Sequence, residues 1–141
     1  MKRKEMIVIL ACALASGCAA PSSHIPVLAD GRYVMEANLR KPGVGRNYGG
    51  VDECTVTTRN GTIRIAPVGV HSNAWYEGTI KDTQISLSLH LDNPDPMIEA
   101  MHLRQSWEGV IQPDASVTGS MGAYAGTNKY MSGTWTLRKA K

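Results

Sequence analysis
The stretch ISLSLHL, residues 85–91, alternates without a break: Ile85, Leu87, Leu89 and Leu91 on one side, Ser86, Ser88 and His90 on the other. Only an extended chain, whose successive side chains point to opposite faces, turns that pattern into one dry face and one wet face. The same period of two recurs from Asp30 onward, and no stretch carries the spacing of an amphipathic helix. TVTTRNGTIRIAP, residues 55–67, places Asn60-Gly61 between two such runs, the strongest short-range hairpin signal. Further strands read at Arg32–Leu39, Asn73–Ile80, His102–Ile111, Ser116–Met121 and Tyr130–Arg138. Eight short strands, mostly joined by tight turns, predict an all-β domain over residues 30–141. A small antiparallel up-and-down barrel suits them best; a two-sheet sandwich is the alternative.

An internal echo sets the facing of these strands. Glu77-Gly78-Thr79-Ile80-Lys81-Asp82 leads into Ile85-Ser86, and Glu108-Gly109-Val110-Ile111-Gln112-Pro113-Asp114 leads into Val117-Thr118. Matching the two hairpins makes Tyr76 equivalent to Trp107 and Ile80 to Ile111, all inward, and turns Trp75 outward with Ser106. Pro113 fits the turn, because proline cannot donate to a ladder. SGTWTLRK, residues 132–139, puts Trp135 and Leu137 inward. With Tyr33, Tyr76 and Trp107, Trp135 then forms the aromatic core of a chain that has no Phe. Cys54 alternates in step with Val56 and is expected inside. Gln105 counts inward and needs a hydrogen-bond partner. Gly78, Gly109, Gly119 and Gly133 also face in; they either permit close backbone approach or leave room for a ligand.

Ahead of the domain stand Lys2, Arg3 and Lys4, an apolar run from Met6 to Ala15, and Ala15-Ser16-Gly17-Cys18. The run is about ten residues, signal-peptide length, against the roughly 20 needed to cross a bilayer. Ala15-Ser16-Gly17-Cys18 resembles a bacterial lipobox, although Ala15 stands where Leu is commoner. The resemblance implies a signal peptide over residues 1–17, acylation of Cys18 and anchorage to a membrane through its acyl chains. Ala19, rather than Asp, follows the cysteine, which by the same analogy points to the outer membrane, facing the periplasm. Residues 18–29 then form a lipidated tether whose AAPSSHIPVLA sequence has the Pro and Ser content of a linker. Once residues 1–17 are removed, Cys54 is the only cysteine within the domain, so no disulfide can close inside it.

Gly31-Arg32-Tyr33 near the first strand and Arg138 on the last resemble the Gly-x-Trp and basic residue of calycin-type barrels, which include lipocalins. Tyr33 replaces the family's Trp. The resemblance implies a barrel layout and carries over no ligand.

The chemistry expected of the domain is mostly exclusion. KPGVGRNYGGVDE, residues 41–53, lacks the Gly-Lys-Ser/Thr of a phosphate loop and reads as a mobile rim connection, with Tyr48 and Arg46 available for contact. GAYAGTNK, residues 122–129, reads similarly, with Tyr124 exposed. His71, His90 and His102 lack metal-ligand spacing, and Asp92, Asn93 and Asp95 do not follow a calcium loop. No serine stands in a nucleophile elbow, and Glu77 and Glu108 face outward. Lys and Arg are scattered singly, without the basic patch that nucleic acid requires. No cofactor, metal or enzyme activity is expected. The sequence thus predicts a non-catalytic, membrane-anchored envelope lipoprotein acting as a protein-binding, inhibitory or structural module. Trp75, Tyr48 and Tyr124 are its candidate partner contacts. The alternative is a carrier holding a small apolar ligand inside the barrel, where the inward glycines make space.

Overall fold
The computed structural model describes residues 25–69, 74–92 and 103–141. Within them the chain forms eight strands: β1 Gly31–Arg40, β2 Val51–Arg59, β3 Thr62–Pro67, β4 Ala74–Lys81, β5 Gln84–Leu91, β6 Leu103–Ile111, β7 Val117–Ala125 and β8 Asn128–Lys139. Each pairs antiparallel with the next, and β8 pairs back onto β1, so the sheet closes in simple sequence order. Closure removes both open sheet edges, which a sandwich would have kept. The described residues contain no helix.

The two ends of the barrel differ. At one end lie the short connections at Asn60-Gly61, Asp82-Thr83 and residues 112–116, together with the start of β1 and the finish of β8. Asn60 (φ 49°) and Gly61 (φ 76°) both take the left-handed conformation, as a two-residue hairpin following the strand twist requires. Between β6 and β7, Ala115 sits at φ 63°. There the Asp114 carboxylate accepts hydrogen bonds from the Ser116 amide (3.0 Å) and hydroxyl (2.6 Å). The connection of residues 41–50 and the β7–β8 turn at Gly126-Thr127 lie at the other end, the mouth.

The strand facing follows the alternation except at the mouth end of β5, where Leu91, expected on the dry face, is exposed. Tyr33, Cys54, Val56, Ile63, Ile65, Ile85, Leu87, Trp107, Val117, Trp135 and Leu137 are buried in one core. The Tyr76 and Trp107 rings, equivalent positions of the internal echo, meet edge to face at 4.9 Å. Trp107 meets Trp135 in the same way at 6.1 Å. Trp135 Nε1 donates to the carbonyls of Glu108 (3.2 Å) and Ser120 (3.1 Å). Trp107 Nε1 donates to Gln105 Oε1 at 3.0 Å, which gives the inward glutamine its partner.

Residues 122–125 and 25–29 depart from expectation. Residues 122–125, read as loop with Tyr124 exposed, continue β7, and Tyr124 is half-buried. The reversal comes at Gly126 (φ 62°) instead, because residues up to Ala125 still pair with both β6 and β8. Residues 25–29, read as the end of a linker, lie across the tight-turn end of the barrel. Leu28 is buried in the core, and the Tyr33 hydroxyl donates to the Ala29 carbonyl at 2.7 Å. Proline and serine content argues against helix or sheet; it does not prevent one apolar side chain from plugging a barrel end.

Candidate functional site
The barrel interior comes first, since a carrier would need it hollow. A Cβ built on Gly109 falls 2.7 Å from the Trp135 ring, and one on Gly119 falls 2.5 Å from Trp135 Nε1. At Gly78 and Gly133 the obstacle is the backbone of the neighbouring strand, at Ser86 and Asn38. The space beside these glycines is therefore occupied by the protein itself. Among the described residues a recess of about 150 Å³ stays open at the mouth, among Leu39, Tyr48, Pro67, Tyr76 and Trp107, and the inward-facing Leu89 and Gln105 border a second of about 510 Å³ along β5 and β6. The first accommodates a benzene-sized molecule; the second falls within the roughly 300–1,000 Å³ of drug-sized ligand pockets but lies open to solvent, with the exposed Ser88, Arg104 and Ser106 on its lining.

Aromatic and cationic groups gather on the outside instead. On the outer wall, Trp75 of β4 is flanked by its neighbours on either strand. His90 of β5, directly opposite in register, stacks on its ring at 5.6 Å and 12°. From β3, the Arg64 guanidinium lies 4.8 Å from the ring centroid. The Trp75 indole N–H donates to Glu77 Oε2 at 3.2 Å. Glu108 repeats this arrangement in the second hairpin, accepting from Ser86 (2.8 Å) and, two residues before it, Ser106 (3.3 Å). Both glutamates face outward as expected, and both act here as acceptors that order the outer wall. Trp75 itself is half-buried, because its two neighbours cover part of its surface.

A second cluster stands at the rim. Lys41 Nζ lies 4.4 Å from the Tyr130 ring centroid and 4.8 Å from that of Tyr48, and Arg46 lies 5.4 Å from Tyr48. Hydrogen bonding to Tyr130 holds the Lys41 ammonium above its ordinary pKa. The segment carrying Tyr48 is pinned to β1, in contrast to the free rim connection expected. Asn47 Oδ1 accepts from the amides of Leu39 (2.9 Å) and Gly49 (2.8 Å), and its Nδ2 donates to Asn38 Oδ1 (3.0 Å). The Tyr48 amide donates to the Leu39 carbonyl at 2.8 Å, and the Ala37 amide to the Gly50 carbonyl at 2.9 Å. Gly49 passes so close to the Ala37 carbonyl that no side chain fits between them.

Tyr124 occupies a third place. Its ring lies over Gly122, within 2.9 Å of where a Cβ would stand, and it borders a recess of about 510 Å³ with Arg104, Ser106 and Ser88. The three aromatic candidates therefore do not converge on one point; Trp75 and Tyr48 anchor separate clusters. Arg64, His90, Lys41 and Tyr130 were not singled out from sequence as contact residues. The hairpin register alone would have set Arg64 on the strand beside Trp75, but the Lys41–Tyr130 contact depends on closure of β8 onto β1.

Cys18, His24, His71 and His102 lie outside the described residues, as do Asn93 and Asp95. Among the described residues no group of three or more His, Cys, Asp and Glu side chains is placed to hold a metal ion. Burial pushes the Cys54 thiol up to about 11 and the Tyr76 phenol up to about 12. No protein-family model matches the chain, and no match is found among curated proteins.

Proposed function
We propose that the protein is a lipid-anchored component of the bacterial envelope, tethered through Cys18 to the outer membrane and facing the periplasm. Its barrel acts non-catalytically, as a protein-binding module of inhibitory or structural kind. The observation that supports this most is the filling of the interior by Trp107, Trp135 and the aliphatic core. Recognition then falls to the outside, where Trp75 and Tyr48 stand in preformed cation–aromatic clusters. Aromatic and arginine side chains are the residues that most often anchor protein interfaces. Holding them by stacking and hydrogen bonds lowers the conformational entropy lost on binding.

The test is site-specific photo-crosslinking in cells from positions 75 and 48, followed by affinity measurement with the purified partner. Trp75→Ala and Tyr48→Ala are expected to weaken binding roughly tenfold or more each, the effect of an interface anchor. Unchanged affinity in both variants would remove these surfaces from the proposal. A small molecule that co-purifies with the barrel, seen in native mass spectrometry and lost on denaturation, would favour the carrier alternative.

A further inference from the structure
Residues 25–29 run across the tight-turn end of the barrel. Leu28 points inward and is 3% exposed, while Ile25 and Val27 point away and are 56% and 75% exposed. They border recesses lined by the Asn60-Gly61 turn, Asp82, Asp114 and the end of β8. The exposed cations Arg59, Arg138 and Lys139 line the same recesses, and at this end of the barrel the exposed Lys81 ends β4 and the exposed Lys141 follows β8. Three acidic groups share this end. Asp30 is bonded to Thr58 (2.8 Å) and Asp114 to Ser116, while Asp82 sits in the β4–β5 turn. The end thus combines two outward aliphatic side chains with a surrounding excess of basic ones.

That combination fits one kind of surface. Aliphatic groups partition into the boundary between headgroups and acyl chains, and flanking Lys and Arg are attracted to anionic lipid. Ile25, the described residue nearest to Cys18 in sequence, lies at this same end, and the seven residue steps between the two span at most about 25 Å. We infer that the tight-turn end of the barrel docks on an anionic bilayer surface through Ile25 and Val27, so that the mouth, with Lys41, Tyr48 and Tyr130, faces away from the membrane. The inference rests on the lipoprotein reading above.

The test uses the mature lipidated protein in vesicles of phosphatidylethanolamine and phosphatidylglycerol. An environment-sensitive fluorophore is attached at Val27→Cys or, separately, at Tyr48→Cys. Cys54 is 1% exposed with its thiol pKa raised, so labelling falls on the introduced cysteine. The expected result is blue-shifted emission, quenched by spin-labelled lipid, at position 27 and a water-like spectrum at position 48. Arg59→Glu with Lys81→Glu should reduce the shift at position 27 while leaving the protein on the vesicle. Water-like emission at both positions, or a shift at position 48 alone, overturns the inference while acylation of Cys18 still stands. Cys18 acylation is checked independently by incorporation of labelled palmitate, and its absence would remove both readings together.

Discussion

The Trp135 indole lies directly against Gly119: a Cβ built on the glycine falls 2.5 Å from Trp135 Nε1 and closer still to the Glu108 carbonyl oxygen of the neighbouring strand. The same N–H is engaged by the carbonyls of Glu108 and Ser120, so the ring cannot swing aside without breaking those bonds. Because both that ring and the backbone of β6 would have to give, Gly119→Ala is expected to lower stability by about 3 kcal/mol or more through overpacking. Urea denaturation followed by Trp fluorescence measures it. A variant as stable as the parent would mean that the interior has slack after all, which is what a carrier requires.

Gln105 is the acceptor for the buried Trp107 N–H. Gln105→Met keeps the side chain's length but removes the carbonyl oxygen, leaving the indole donor without its partner. The expected loss is about 1–3 kcal/mol, the cost of an unsatisfied buried polar group. A loss smaller than a few tenths would show that water reaches the indole from the mouth.

Leu28 closes the barrel at its tight-turn end. Leu28→Ala should lower stability by about 2 kcal/mol, the lower part of the range for buried leucines, because a strap on one side can settle into the space left. Hydrogen exchange should then rise first in the amides beside the Tyr33–Ala29 contact. An unchanged unfolding midpoint would show that residues 25–29 add nothing to the core.

Cys54 carries a pH dependence whose sign follows from its burial. Its thiol pKa is raised from the ordinary 9.0 to about 11, so the folded state holds the proton more tightly than the unfolded chain does. This contribution to stability is complete below about pH 9 and is lost as pH rises toward 11. Tyr76, raised to about 12, extends the loss further into alkali. Urea midpoints between these limits should fall more steeply for the parent than for Cys54→Ala. At neutral pH, iodoacetamide should modify Cys54 only after unfolding; rapid alkylation of the native protein would contradict its burial.

The strands and their facing were legible in the residues because period-two alternation needs only local geometry. ISLSLHL and the Asn60-Gly61 hairpin determine which side chains face in, and the echo of Tyr76 in Trp107 already marked a shared core. Tertiary structure decided what local pattern could not. Closure of β8 onto β1 excluded the sandwich and brought Lys41 to Tyr130. The inward glycines looked the same in sequence whether they faced a ligand or a side chain, and only packing placed Trp135 against Gly109 and Gly119. Leu28 sits in a segment without periodicity, so its burial depended on an opening that exists only once the barrel has closed. The loop read as mobile was anchored by Asn47 through bonds to β1 across a span of eight or nine residues, which no alternation records. Alternation is a property of each strand taken alone; closure, plugging and anchoring depend on which strands meet.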